Sequence, residues 1–356
     1  MSNAGQPYRS RRLRSRRGLI IMAGLALTFF IGRVMWANGI FSSTPTGFLG
    51  ACKVAAAVPG VEDIESANGV TFVSVAGARG PDGRDGIYVM GEDGKLTRLA
   101  GAPKDFHPRG IGLFRSPDGS GIFLMAVNRR TSGRFSVDSF EVTNPKTAPA
   151  LVAQGTVESG LLTDPQDVAA AGLGAFYVSN NSAKQTFVKA LASWGVLPAS
   201  EILYFNGMTF KPVVQDLYGS RGLVLAPDGN HLLVANLTAR SLQSFSRDPF
   251  GGNLTEAGSL TLAAAPEKIS LDAQGSLWVA GHANLLNWRA FAADPARRAP
   301  SQVFRVNVLS GVPQEATQAY GNDGSEIAGA GIAASVGKTL LIGSSLDGKL
   351  LECVPK

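Results

Sequence analysis

Six turn-plus-strand units recur along this chain, and few folds accommodate their period. They are residues 68–75 (NGVTFVSV), 118–127 (DGSGIFLMAV), 173–180 (LGAFYVSN), 228–236 (DGNHLLVAN), 274–281 (QGSLWVAG) and 336–344 (VGKTLLIGS). Successive units start 50, 55, 55, 46 and 62 residues apart, the length of one four-stranded blade each. Residues 232–235 are apolar on both faces, as an inner strand packed between blades should be. The expected fold is therefore all-β, a six-bladed β-propeller. A two-sheet sandwich is the competing architecture, but it does not predict this period. The 43 glycines agree with many short strands and tight turns.

Ahead of the repeats the composition changes. Residues 1–17 hold six arginines and no acid, which accounts for the whole net charge of +6. The remainder is neutral, so no nucleic-acid surface is expected on the folded part. Residues 18–32 carry no charge, a run of roughly 22 Å as a helix, and the apolar character resumes after Arg33. We read 1–17 as a basic cytoplasmic tail and 18–41 as a transmembrane anchor or signal segment. Arg33 would then snorkel to the far interface. No small-x-small cleavage site is evident, which favours a retained anchor. A linker, 42–51, leads to the propeller, 52–356, on the periplasmic or extracellular side. Cys52 and Cys353 stand at the two ends of that domain, and their placement suggests a disulfide latch in an oxidising compartment.

Within the propeller, Glu62 and Asp63 stand together at a strand start. Adjacent carboxylates there need a cation or hydrogen-bond donors to compensate them. Three histidines exist, His107, His231 and His282. His231 reads as a turn residue on the surface, while His107 and His282 fall near strand ends where a propeller's axis opens. Residues 184–197 break the β pattern, with Phe187, Val188, Leu191 and Trp194 on one helical face. A helix is expected there, inserted between blades as a cover. Residues 343–349 have Walker-A spacing, but Leu350 stands where Ser or Thr is required, so no phosphate loop is read.

From Cys52 to Cys353 the sequence resembles the paraoxonase and arylesterase (gluconolactonase-like) propeller hydrolases. The residues that carry the resemblance are the terminal cysteines, Glu62-Asp63 with Asn68-Gly69, and Phe106-His107-Pro108-Arg109-Gly110-Ile111. Val127-Asn128, Asp167-Val168, Ala226-Pro227-Asp228-Gly229, Ile269-Ser270 and Leu277-Trp278-Val279 follow in the same order. The resemblance implies ester or lactone hydrolysis and two calcium ions in a central tunnel. It assigns the deeper, structural ion to Asp63, the Ile111 carbonyl and Asp167. It assigns the upper, catalytic ion to Glu62, Gln166, Arg221, Glu267 and Lys268.

Two of those upper positions, Arg221 and Lys268, offer no acceptor oxygen. The family's paired histidines fall on Arg109 and Arg129, and an arginine is a poor general base. His282 matches a further histidine of the family, and His107 lies two residues from the missing one. The expectation is one structural calcium, a substituted upper site, and catalysis through His107, His282, Arg109 or Arg129 if the chain is active. The alternative is a silent propeller whose cationic pocket binds a small anionic ligand or a protein partner.

Overall fold

The computed structural model describes residues 8–356, apart from 79, 81, 92, 117, 118, 120 and 146. The tail's first seven residues, and Asp118 and Ser120 of the second repeat unit, therefore lie outside it. Six four-stranded antiparallel sheets form a ring, a six-bladed propeller. Each blade's innermost strand opens it: Val61–Ala67, Pro108–Arg115, Pro165–Gly172, Ser220–Leu225, Ala265–Leu271 and Ile332–Val336, blades 1 to 6 in that order.

The repeat units of the sequence are the second strands, not the innermost ones. In blade 4 that strand is His231–Asn236, whose Leu232, Leu233, Val234 and Ala235 are fully buried. Second strands pack against neighbouring blades on both faces, so they read as continuous apolar runs. Innermost strands face the polar axis on one side, which hides them from such a search.

Blade 6 closes the ring with chain from both ends. The early strand Gly50–Ala57 pairs along Lys349–Pro355, and Cys52 faces Cys353 in register. The two are joined by a disulfide across 301 positions of sequence.

Three helices among the described residues complete the fold. Helix α1, Tyr8–Ala37, contains the stretch Gly18–Ala37, twenty residues of mean hydropathy 2.0, exposed as far as Gly32. It is the one helix among the described residues long and apolar enough to cross a membrane. Its C-terminal end is seated on the propeller. Leu285 N donates to the Asn38 carbonyl at 3.0 Å, and Asn38 Nδ2 donates to the Trp194 carbonyl at 3.2 Å. Arg33 lies over the Tyr218 ring at 4.6 Å.

Helix α2, Thr186–Ser193, forms where the sequence places one, but inside blade 3 rather than between blades. It has no buried residue, and Phe187 is 71% exposed, so it is not the expected cover. That part falls to α3, Leu285–Ala293, which sequence periodicity did not reveal. Only Leu285 and Phe291 of α3 are fully buried, too few to leave an amphipathic signature. Asn284 caps it, accepting from the backbone of Leu286 at 2.8 Å. Arg289, in the middle of α3, donates to Asn38 Oδ1 and to the Ser193 carbonyl, so the C-terminal ends of α1 and α2 meet at its guanidinium.

Candidate active site in the propeller tunnel

Five of the six innermost strands carry the same irregularity. Val61 faces Val75 but Asp63 faces Ser74, and Pro108 faces Asn128 but Ile111 faces Ala126. Pro165 faces Asn180 but Asp167 faces Ser179. The shifts at Ser220 to Leu223 and Pro266 to Ile269 are of the same kind, and blade 6 has none. Each is a bulge of one extra residue, a device that re-aims side chains. The residues so presented are Glu62-Asp63, Arg109-Gly110, Gln166-Asp167, Arg221-Gly222 and Glu267-Lys268. They supply five of the side chains around the upper cavity and the three charges beneath it.

The first member of each pair faces a cavity of about 460 Å³, lined by Glu62, Arg109, Gln166, Arg221 and Glu267 together with His107, Arg129 and Trp288. Several of these charges are already matched. Arg109 donates to Asp164 Oδ1 at 2.8 Å, and Arg221 to Gln166 Oε1. Glu267 Oε1 lies 4.0 Å from Arg221 Nε, and its other oxygen 3.0 Å from His282 Nε2. Burial alone would raise the Glu267 carboxyl, but Arg221 and His282 outweigh it and hold the group at about 2.

Two charged cavity groups, the Glu62 carboxylate and the Arg129 guanidinium, have no hydrogen bond or ion pair with a described residue. Burial pushes the Glu62 carboxyl up against the pull of Arg109 and Lys268.

The second members form a lower ring, which differs from the sequence expectation. Asp63 and Asp167, each 1% exposed, converge on the ammonium of Lys268, itself 5% exposed. Lys268 Nζ stands 3.1 Å from Asp167 Oδ1 and 3.7 Å from Asp63 Oδ2, and donates to the Gln166 carbonyl at 2.9 Å. The carboxylates are also held by backbone donors. Asp63 accepts from Ile64 N at 2.9 Å and Ile111 N at 2.8 Å, and Asp167 from Val168 N and Leu223 N, both at 2.9 Å. Ile111 thus turns its N–H to Asp63, where a carbonyl ligand had been expected. Lys268 lies one level deeper than the upper set that the resemblance gave it. Burial disfavours its charge, yet Asp167 and Asp63 together raise its proton affinity above the ordinary value.

A family model described as Arylesterase matches residues 95–353. The chain belongs to the arylesterase family. It is 28% identical over 302 residues to serum paraoxonase/arylesterase 2 of Rattus norvegicus, covering 80% of this chain and 83% of that relative. Serum paraoxonase/arylesterase 1 of Homo sapiens is 28% identical over 254 residues, 70% of this chain and 68% of the relative. Among solved structures it resembles a luciferin-regenerating enzyme, with TM-score 0.52, 11% identity and coverage of 86% and 95%. A gluconolactonase from Xanthomonas campestris gives TM-score 0.51 at 14% identity, covering 86% and 89%. These two likenesses show the shared fold.

Against this family background, the calcium assignment can be tested on the donors present. Calcium takes six to eight oxygens at roughly 2.3–2.6 Å. An ion that close to both Asp63 and Asp167 would collide with the Lys268 ammonium. The lower ring of this chain fits an ammonium and does not fit a dication beside it. In the upper ring, Arg221 engages Gln166 and lies alongside Glu267, two further oxygens that a metal would need.

The histidines do not present a free base to the cavity. His107 Nδ1 is 2.6 Å from Asp85 Oδ2 and its Nε2 is 3.2 Å from Asp105 Oδ1, partners that sequence reading did not supply. His282 is 1% exposed, lies 5.2 Å from the Trp288 ring, and reaches the cavity through Glu267. The bulge itself did have a sequence signal. A charged or amide residue followed by Asp, Gly or Lys precedes Ile64, Ile111, Val168, Leu223 and Ile269, at blade spacing, after Val61, Pro108, Pro165, Ser220 and Pro266.

The Glu267 network yields a stability prediction. Its folded value of about 2 lies below the ordinary 4.5, so its contribution is present above the ordinary value and is lost as pH falls toward 2. Glu267→Gln should cost about 3 kcal/mol at pH 7. Urea unfolding at pH 7 and pH 3 should show the gap between variant and parent shrinking at the lower pH.

Proposed function

We propose that this propeller hydrolyses esters or lactones, with Glu62 as general base and Arg129 as the group that receives the developing oxyanion. The observation that carries this reading is the unpaired Glu62 carboxylate and unpaired Arg129 guanidinium lining one 460 Å³ cavity. A cavity of that size suits a small substrate. Glu62 takes a proton from water as the water oxygen bonds to the carbonyl carbon. The tetrahedral oxyanion pairs with Arg129, and Arg221 lies beside it in the same wall. As the bond to the leaving oxygen breaks, Glu62 returns the proton to that oxygen. Arg109, fixed by Asp164, and Glu267, fixed by Arg221 and His282, hold the wall in shape.

Family membership supports the reaction class, and no step here passes through a metal. The apolar α1, the six arginines ahead of it and the disulfide support an anchored protein with its propeller outside the cytoplasm. Purified full-length protein in detergent, assayed with simple aryl esters and lactones, should show turnover that persists in EDTA. Turnover only with added calcium would overturn the assignment to Glu62 and Arg129. No turnover by folded protein would favour the second reading, for which the three cavity guanidiniums speak. The cavity would then bind a small carboxylate, detectable by calorimetry.

A further inference from the structure

Two buried carboxylates facing each other across a narrow tunnel require a positive charge between them. In this chain the lower ring supplies it from a side chain of blade 5, Lys268. We propose that Lys268 is the resident cation of the tunnel, a tethered ammonium that takes the place of a divalent ion and leaves the fold independent of metal.

Three observations carry the inference. Nζ has three oxygen neighbours from two other blades: Asp63 of blade 1, and Asp167 and the Gln166 carbonyl of blade 3. One side chain thus ties blades 1, 3 and 5 across the axis, as a metal shared among blades would. The space around it is made by the sequence. A Cβ on Gly110 would sit 1.9 Å from Asp167 Oδ1 and 2.6 Å from Lys268 Nζ, so no larger residue fits at that bulge. Lastly, the four carboxylate oxygens of Asp63 and Asp167 each accept a backbone N–H. The carboxylates are held in place without a metal to order them.

The test reads heat stability and metal binding, so it does not depend on whether the cavity is catalytic. Wild-type full-length protein should keep its melting temperature, within about 1 °C, in EDTA and in millimolar calcium chloride. Calorimetry should register no calcium binding. Lys268→Asn removes the charge and offers an oxygen in its place. In EDTA it should melt roughly 10 °C lower, the usual consequence of leaving a buried partner unpaired. Millimolar calcium should restore most of that loss, and Lys268→Arg in EDTA should stay nearer the wild type. A wild type that binds calcium, or melts lower in EDTA, would overturn the proposal. So would a folded Lys268→Asn indifferent to calcium. If that variant fails to fold, the wild-type measurements alone decide.

Discussion

Replacing Cys52 and Cys353 together with serine should lower the stability of the propeller by roughly 5 kcal/mol, the chain-entropy value for so long a loop. The two cysteines face each other in register in blade 6, and the bond spans 301 positions of sequence. That blade is the only one built from both ends of the domain, so its outer strand, Gly50–Ala57, is the element most exposed to fraying. Without the bond it is held by ladder hydrogen bonds and by the solvent-screened pair Lys53–Glu352 at 3.1 Å. A urea titration should show the midpoint falling in the double variant. Reduction of the wild type should lower its midpoint by a similar amount. Hydrogen exchange should locate the first opening in residues 50–57. An unchanged midpoint would mean that strand pairing alone closes the ring.

The architecture was legible because a propeller repeats its second strands. Those runs, such as Leu232 to Ala235, are buried on both faces and so keep a plain apolar signature. The disulfide was legible for a related reason, since closure brings the ends of the domain together. Helix α3 was not, because few of its residues are buried. The site was legible as a set of positions but not as a geometry. Sequence placed Glu62, Asp63, Gln166, Asp167, Arg221, Glu267 and Lys268 in the tunnel, and all of them line it or lie beneath its upper cavity. It could not say at which level each side chain ends. Lys268 has a long, flexible stem, and its ammonium goes where buried negative charge is densest, down between Asp63 and Asp167. His107 likewise reads as available in the sequence, but Asp85 from the preceding blade and the nearby Asp105 occupy both of its nitrogens.

Glu62→Gln should reduce kcat on the best ester or lactone by about 1,000-fold, within the range that a positioned general base supplies. The amide keeps the size and seat of the side chain, and the bulge that aims it is set by backbone pairing with strand Val70–Val75. It cannot accept a proton from water. KM should change little, because binding rests on the guanidiniums and the cavity walls. Thermal stability should hold or rise slightly, since a half-buried carboxylate near Glu267 is being neutralised. Burial raises the Glu62 carboxyl, and a base must be ionised, so the wild-type rate should rise with pH on an acid limb above the ordinary glutamate range. That limb should vanish from the residual rate of Glu62→Gln. Arg129→Met should lower kcat/KM by about 100-fold and leave the acid limb in place, because it removes oxyanion stabilisation and not the base. The two losses differ in kind, one erasing a pH limb and the other preserving it, which separates catalysis from mere damage to the fold. A Glu62→Gln protein with wild-type kcat would remove Glu62 from the mechanism.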